Sequence, residues 1–133
     1  MKTIHTAEMI ADGGRSGTVE AADGHFRVQL STAEHGGSVT PEHLFAGAYA
    51  ACFLGAMKNA AEASHLALEG LTVTCRAHLE EDALGDHQLE VDLRASVPGL
   101  ASAAARHLLN LAHQSCPYSK AIRGNVKVAL GFD

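Results

Sequence analysis

Thr40-Pro41-Glu42-His43-Leu44-Phe45-Ala46-Gly47-Ala48-Tyr49-Ala50-Ala51-Cys52-Phe53 is the stretch on which the fold turns. Thr40 offers a capping oxygen. Pro41 fits the first helical position, where its missing N–H would have had no partner, and Glu42 favours the positive end of the helix dipole. From 44 to 57 nearly every residue is apolar, so the predicted helix has no polar face. A helix apolar all round has to be enclosed, by its own sheet or by a partner chain. The run holds 14 residues and is interrupted by Gly47 and Gly55, which is too short to span a bilayer. Polar residues return at Lys58, Asn59 and Glu62, and the helix is expected to fade near Ser64.

Strands are expected on both sides of this helix. Phe26, Val28 and Leu30 alternate with His25, Arg27 and Gln29, the period of a half-buried strand. Ala22-Asp23-Gly24 is turn chemistry, so 17–22 and 25–31 predict a hairpin. A weaker strand is read over 3–10, closed by Asp12-Gly13-Gly14, and a loop over 34–38. After the helix, Val73, Cys75, Ala77 and Leu79 alternate with polar neighbours, as do Leu89, Val91, Leu93, Ala95 and Val97. The segment 81–87 connects them as a hairpin. Residues 101–115 are Ala- and Leu-rich and helical, stopping at Cys116 because Pro117 pushes its predecessor out of the α region. Val126, Val128, Leu130 and Phe132 mark a last strand. The order βββ–α–ββ–α–β has too few crossovers for a doubly wound parallel sheet and predicts an α+β fold.

At 133 residues the chain is expected to form one domain, 1–133. Its 47% hydrophobic and 19% charged residues exclude a disordered composition. Aromatics are scarce and 24 residues are Ala, so the core has to be built from small side chains at close approach. A formal charge of −5 excludes the basic footprint of a nucleic-acid binder. The start, MKTIHTAEMIADGG, has no apolar run of signal-peptide length. With an odd number of cysteines, the expectation is a cytoplasmic protein with reduced thiols, bound to neither nucleic acid nor membrane.

Cys75 lies in phase with the apolar face of its strand and reads as a small buried hydrophobe. Cys52 sits mid-helix, where burial alone raises a thiol pKa; it becomes reactive only if the fold brings a cation to it. Cys116 occupies a helix end before Pro117, where a thiol has a defined exit direction and room to move. His113 stands three residues earlier on the same face, either as a metal co-ligand or simply as a neighbour. There is no C-x-x-C and no H-x-x-x-H, so a zinc site would need remote ligands and no metal is expected. Arg15 stands in Gly13-Gly14-Arg15-Ser16-Gly17, where glycines allow close backbone approach. By themselves Arg15, Lys120 and Arg123 read as solvated charges, and Tyr118 as packing.

Two stretches carry more than composition does. The segment 40–53 quoted above and Cys116-Pro117-Tyr118-Ser119-Lys120-Ala121-Ile122-Arg123-Gly124-Asn125-Val126 closely resemble the two cysteine motifs of the organic hydroperoxide resistance family, within the OsmC-like superfamily. Asp12-Gly13-Gly14-Arg15-Ser16-Gly17 resembles that family's N-terminal arginine loop, and the resemblance runs over essentially the whole chain. The 36–40 loop is shorter than that of relatives, and the 81–87 hairpin is acidic where theirs is glycine-rich.

The resemblance implies an intertwined homodimer of α+β subunits and a thiol-dependent peroxidase. By that resemblance Cys52 is the peroxidatic cysteine and Cys116 the resolving one. Arg15 holds the Cys52 thiolate, and Glu42 orients Arg15. Leu44, Phe45, Tyr49 and Phe53 supply apolar walls suited to an organic hydroperoxide. No cofactor is expected to be bound; the implied reductant is an external dithiol, dihydrolipoamide, on a lipoyl-bearing protein. The other readings are an OsmC-like protein of different peroxide preference, or a non-enzymatic dimeric domain for an apolar ligand or a metal.

Helix geometry adds one constraint. Ten residues separate Glu42 from Cys52, about 15 Å along a continuous helix, with the side chains on different faces. Either the helix begins later than Thr40 suggests, or Glu42 and Arg15 serve a site shared with a second subunit.

Overall fold

Local hydrogen-bonding chemistry sets most element boundaries in the computed structural model, which describes residues 1–32, 37 and 39–133. The loop expected over 34–38 lies outside the described residues except for Gly37. The chain divides into two compact units, Met1–Leu44 and Phe45–Asp133.

In the first unit, β1 (Met9–Asp12), β2 (Thr18–Ala21) and β3 (Arg27–Gln29) form an antiparallel sheet in that order. The expected hairpin is present: Val19 faces Val28 and Glu20 faces Arg27. Gly24, at φ +79°, turns the chain between them, a left-handed conformation that glycine adopts without steric cost. The first strand departs from the expected 3–10. It begins at Met9 because the ladder with β2 starts at Met9 opposite Ala21 and ends at Asp12 opposite Thr18; propensity alone makes no strand without a neighbour to pair with. A short 3-10 turn, Gly14–Ser16, follows.

The helix α1 (Pro41–Ala63) starts where the sequence places it. The His43 N–H donates to Thr40 Oγ1 at 3.3 Å, and the Thr40 N–H donates back to His43 Nδ1 at 3.0 Å. This is a capping box in which histidine takes the place of the usual Glu or Gln. The helix stops by a Schellman closure: His65 N–H bonds Glu62 O at 3.0 Å and Leu66 N–H bonds Ala61 O at 2.9 Å. His65 takes the left-handed position at φ +57°, the only described non-glycine residue to do so.

In the second unit, Tyr49, Phe53, Ala56, Met57 and Ala61 form the buried side of α1. Gly47, Ala48, Ala51 and Gly55, also apolar or small, are exposed in the single chain. β4 (Thr72–Glu81) and β5 (His87–Ser96) pair antiparallel over their whole length. Asp82 closes their turn, its Oδ1 accepting from the N–H groups of Leu84 and Asp86 at 2.8 and 3.0 Å. β6 (Lys127–Phe132) then pairs parallel with β5, which requires a crossover. That crossover is α2 (Ser102–Ser115) followed directly by α3 (Pro117–Ile122).

α3 is a departure from the sequence reading, which ended the helical segment at Cys116. Pro117 does end α2: Cys116 is extended, at φ −62° and ψ 122°, as a residue before proline prefers. The same proline then occupies the first turn of a new helix, where it needs no N–H donor. The fold is α+β, with two three-stranded sheets.

The Schellman closure makes a first prediction. A non-glycine residue in the left-handed region costs roughly 1–2 kcal/mol, offset in part by the extra unfolded-state freedom of glycine. His65→Gly is therefore expected to raise stability by about 0.5–1 kcal/mol in urea unfolding. A loss of stability would mean that the His65 side chain holds the turn.

Candidate active site

The second unit brings two of the three cysteine sulfurs together. Cys52, on the fourth turn of α1, is half-buried, and Cys116, between α2 and α3, has no exposed surface. The Cys116 and Cys52 thiols are in hydrogen-bond contact at a sulfur–sulfur distance of 3.6 Å. Both are reduced. Disulfide bonding requires about 2.05 Å, so the sulfurs have to approach by about 1.6 Å.

Burial is the main influence on Cys52 and pushes its thiol pKa up; the Cys116 thiol bonded to it raises it further. The backbone N–H of Tyr118 acts in the opposite direction, lowering it. As the sequence anticipates, apolar surroundings by themselves make this thiol a poor nucleophile. Cys75 is half-buried against the core, and burial, then the negative charge of Asp92, push its pKa up to about 11. At neutral pH it is therefore an uncharged thiol packed against the core.

The first unit holds an arginine–glutamate pair. Arg15 Nη2 donates to Glu42 Oε1 at 2.8 Å and to Oε2 at 2.6 Å. The turn presenting Arg15 depends on close backbone approach: a Cβ at Gly17 would sit 1.8 Å from the Asp12 carbonyl oxygen, so only glycine fits. Arg15 remains 48% exposed while Glu42 is 17% exposed. The Arg15 bond holds the Glu42 carboxyl below its ordinary range, and the carboxylate raises the Arg15 pKa in return. The sequence reading had treated each as a separate charge until the resemblance joined them.

Of the four apolar residues expected to line a substrate site, Tyr49 and Phe53 are fully buried, while Leu44 and Phe45 keep partial exposure. Tyr49 is the centre of an aromatic group, with ring centroids 6.2 Å from Phe45 and Tyr118 and 6.4 Å from Phe53. Its hydroxyl meets Ser119 Oγ at 2.7 Å, and Ser119 Oγ meets His113 Nδ1 at 2.8 Å. Arg123, read from sequence as solvated, donates from Nη2 to the His113 carbonyl at 2.6 Å. The sequence reading did not find Ser119. Its only signal was the even spacing of three between His113, Cys116 and Ser119, which keeps its meaning across a helix break only if the break preserves the face. His113 is engaged by Ser119. Among the described residues, no group of three or more His, Cys, Asp or Glu side chains is placed to hold a metal.

The family model described as OsmC-like protein matches residues 33–131. An organic hydroperoxide resistance protein of Xanthomonas axonopodis pv. citri (strain 306) is 40% identical over 134 residues, covering 97% of this chain and 94% of that protein. Organic hydroperoxide resistance protein OhrB of Bacillus subtilis (strain 168) is 35% identical over 131 residues, 96% of either chain. The crystal structure of an organic hydroperoxide resistance protein from Legionella pneumophila superposes with a TM-score of 0.91 at 38% identity, covering 99% of both chains. The chain belongs to the OsmC-like family, among its organic hydroperoxide resistance proteins. No helix among the described residues is long and apolar enough to cross a membrane.

Two predictions rest on these environments. Because the Glu42 pKa is lower folded than unfolded, the unfolded chain binds more protons at acid pH, and stability rises with pH there. The ion pair's contribution is thus complete above the ordinary Glu value of 4.5 and is lost as pH falls through the depressed folded value. The stability gap between wild type and Glu42→Gln, followed by urea unfolding across pH, should be constant at neutrality and close below pH 4.5. Cys75→Ala should keep two mutually reactive thiols and cost about 1 kcal/mol, as a small core truncation does; thiol titration and unfolding check both.

Proposed function

We propose that the chain is a cysteine-based peroxidase that reduces organic hydroperoxides to alcohols. The observation that carries this reading is the 3.6 Å approach of Cys52 and Cys116 inside an apolar core. The names of the relatives, organic hydroperoxide resistance proteins, point the same way. The Cys52 thiolate attacks the distal oxygen of ROOH; the O–O bond breaks, the alkoxide leaves and takes a proton to become ROH, and Cys52 becomes a sulfenic acid. Cys116 then attacks that sulfur, giving the Cys52–Cys116 disulfide and water. An external dithiol, dihydrolipoamide on a lipoyl-bearing protein, returns both cysteines to thiols by exchange.

The raised thiol pKa of Cys52 has to be overcome for the first step. Arg15 is the group we assign to that task, lowering the pKa and stabilising charge on the departing oxygen, with Glu42 fixing its direction. We place Leu44 and Phe45, with the buried Tyr49 and Phe53 behind them, along the substrate's apolar tail. α1 is continuous from Pro41, which supports the reading of shared sites. Ten residues along one helix, about 15 Å, favour Glu42 and Arg15 serving Cys52 of the partner subunit. The exposed Gly47, Ala48, Ala51 and Gly55 on a helix otherwise built for burial favour a homodimer packed through that side.

Two experiments test this. With cumene hydroperoxide and dihydrolipoamide, Cys52→Ser should lose turnover entirely. Cys116→Ser should complete one reduction and stop with a trappable sulfenic acid. Turnover by Cys52→Ser ends the assignment. Co-refolding Cys52→Ser with Arg15→Ala should regenerate one working site per mixed dimer. Mixed dimers without activity place the whole site within one chain.

A further inference from the structure

Beside the two sulfurs lies a polar chain that the proposed chemistry leaves unused. Tyr49 and Ser119 are fully buried, His113 is half-buried, and their hydrogen bonds of 2.7 and 2.8 Å meet at one hydroxyl, Ser119 Oγ. Each member stands three residues from a reacting cysteine: Tyr49 before Cys52, His113 before Cys116, Ser119 after Cys116. Residues three apart on a helix share a face. The chain thus ties the Cys52 turn of α1 to α2 and α3, which Cys116 joins.

The donors and acceptors form one continuous run. Burial keeps the Tyr49 hydroxyl protonated and the His113 imidazole neutral, Arg123 adding to the second effect. With a neutral imidazole the run is satisfied in either sense, from Tyr49 through Ser119 to His113 Nδ1 or from His113 Nδ1–H through Ser119 to Tyr49. Either way the Ser119 hydroxyl both accepts and donates, and among the described residues no buried side-chain polar atom lacks a partner.

Cys116 has little positional freedom of its own. Its N–H bonds Ala112 O at 2.8 Å and its C=O accepts from the Lys120 N–H at 3.0 Å, so its backbone belongs to both helices. The position of its sulfur therefore follows the tilt of α3, which has only six residues. Apart from packing, α3 is fastened through Ser119 to α1 and α2, and by the Arg123 bond to the His113 carbonyl.

We propose that the Tyr49–Ser119–His113 chain is a clamp that sets the closure of Cys116 on Cys52, with Ser119 a positioning residue for the resolving step. The proposal rests on the peroxidase reading for its biological step. In that step Cys116–SH and Cys52–SOH become a disulfide and water: the S–O bond breaks, the S–S bond forms, and the thiol proton leaves with the hydroxide. Remaining peroxide competes for the same sulfenic acid and carries it to sulfinic acid. Without the Ser119 hydroxyl, the buried Tyr49 Oη and the half-buried His113 Nδ1 both lose their partner. They recover one only by admitting water or by moving α3, and either displaces Cys116 from its 3.6 Å contact.

The test compares wild type with Ser119→Ala, Tyr49→Phe, His113→Ala and His113→Asn in two arms. In the first, reduced protein is equilibrated with glutathione redox buffers, and the Cys52–Cys116 disulfide is counted by alkylation and mass spectrometry. In the second, cumene hydroperoxide is added, and disulfide is measured against Cys52 sulfinic acid. Displacements near 1 Å can cost up to about a hundredfold in an intramolecular step. Ser119→Ala should lower the effective concentration of the thiols on the order of tenfold and shift product toward sulfinic acid. Tyr49→Phe and His113→Ala should move both readouts the same way, and His113→Asn, which keeps an acceptor, should return toward wild type. Ser119→Ala and Tyr49→Phe that close as wild type does overturn the clamp. If Ser119→Ala fails to fold, Tyr49→Phe, which keeps the ring, decides alone. If cumene hydroperoxide leaves wild-type Cys52 unoxidised, the peroxidase reading fails, while the glutathione arm still judges the clamp.

Discussion

Proline at position 117 constrains everything around the two sulfurs. It forbids the preceding residue an α conformation and donates no hydrogen bond, yet it is suited to open a helix. Cys116 is therefore held extended between two helices, its N–H spent on one and its C=O on the other. A cysteine inside a continuous helix would have its sulfur fixed along that helix's face. At a break, the sulfur is aimed by the angle between two helices, and here that angle brings it to Cys52. The crossover also carries the chain from β5 to the parallel β6, so the break that places the thiol belongs to the connection that completes the sheet.

Placing a dithiol in an apolar core has an electrostatic consequence. Burial favours the neutral thiol, which suppresses adventitious oxidation and metal capture but also the nucleophile itself. Under the proposed function the compensating charge is Arg15, which stands on a turn that tolerates only glycine at 17 and is paired with a carboxylate on the first turn of α1. The thiols lie in one compact unit and the ion pair in the other.

The legible parts of the structure were those set by local chemistry. Thr40 and Pro41 announced the start of α1, alternation announced β4 and β5, and Asp82 with Gly85 announced their turn. Where a strand needed a partner to exist, as over 3–10, pattern alone placed it too early. Pro117 was read as a stop, and its second role as a start went unseen because proline satisfies both. Ser119 was invisible for a different reason: a serine in a polar-looking segment has no signature until Tyr49, seventy positions away, is brought against it.

What the sequence by itself determined is therefore most of the elements, the α+β class and, through the two cysteine motifs, the family. These depend on near-neighbour effects, such as capping, alternation and proline geometry, or on motifs legible as strings. Tertiary structure alone decided that Cys52 and Cys116 touch, that Arg15 pairs with Glu42 across 27 positions, and that one buried hydroxyl links three helices. Contacts of that kind depend on angles between elements. Those angles come from the packing of whole faces, a sum over many small contacts that no single stretch of sequence contains.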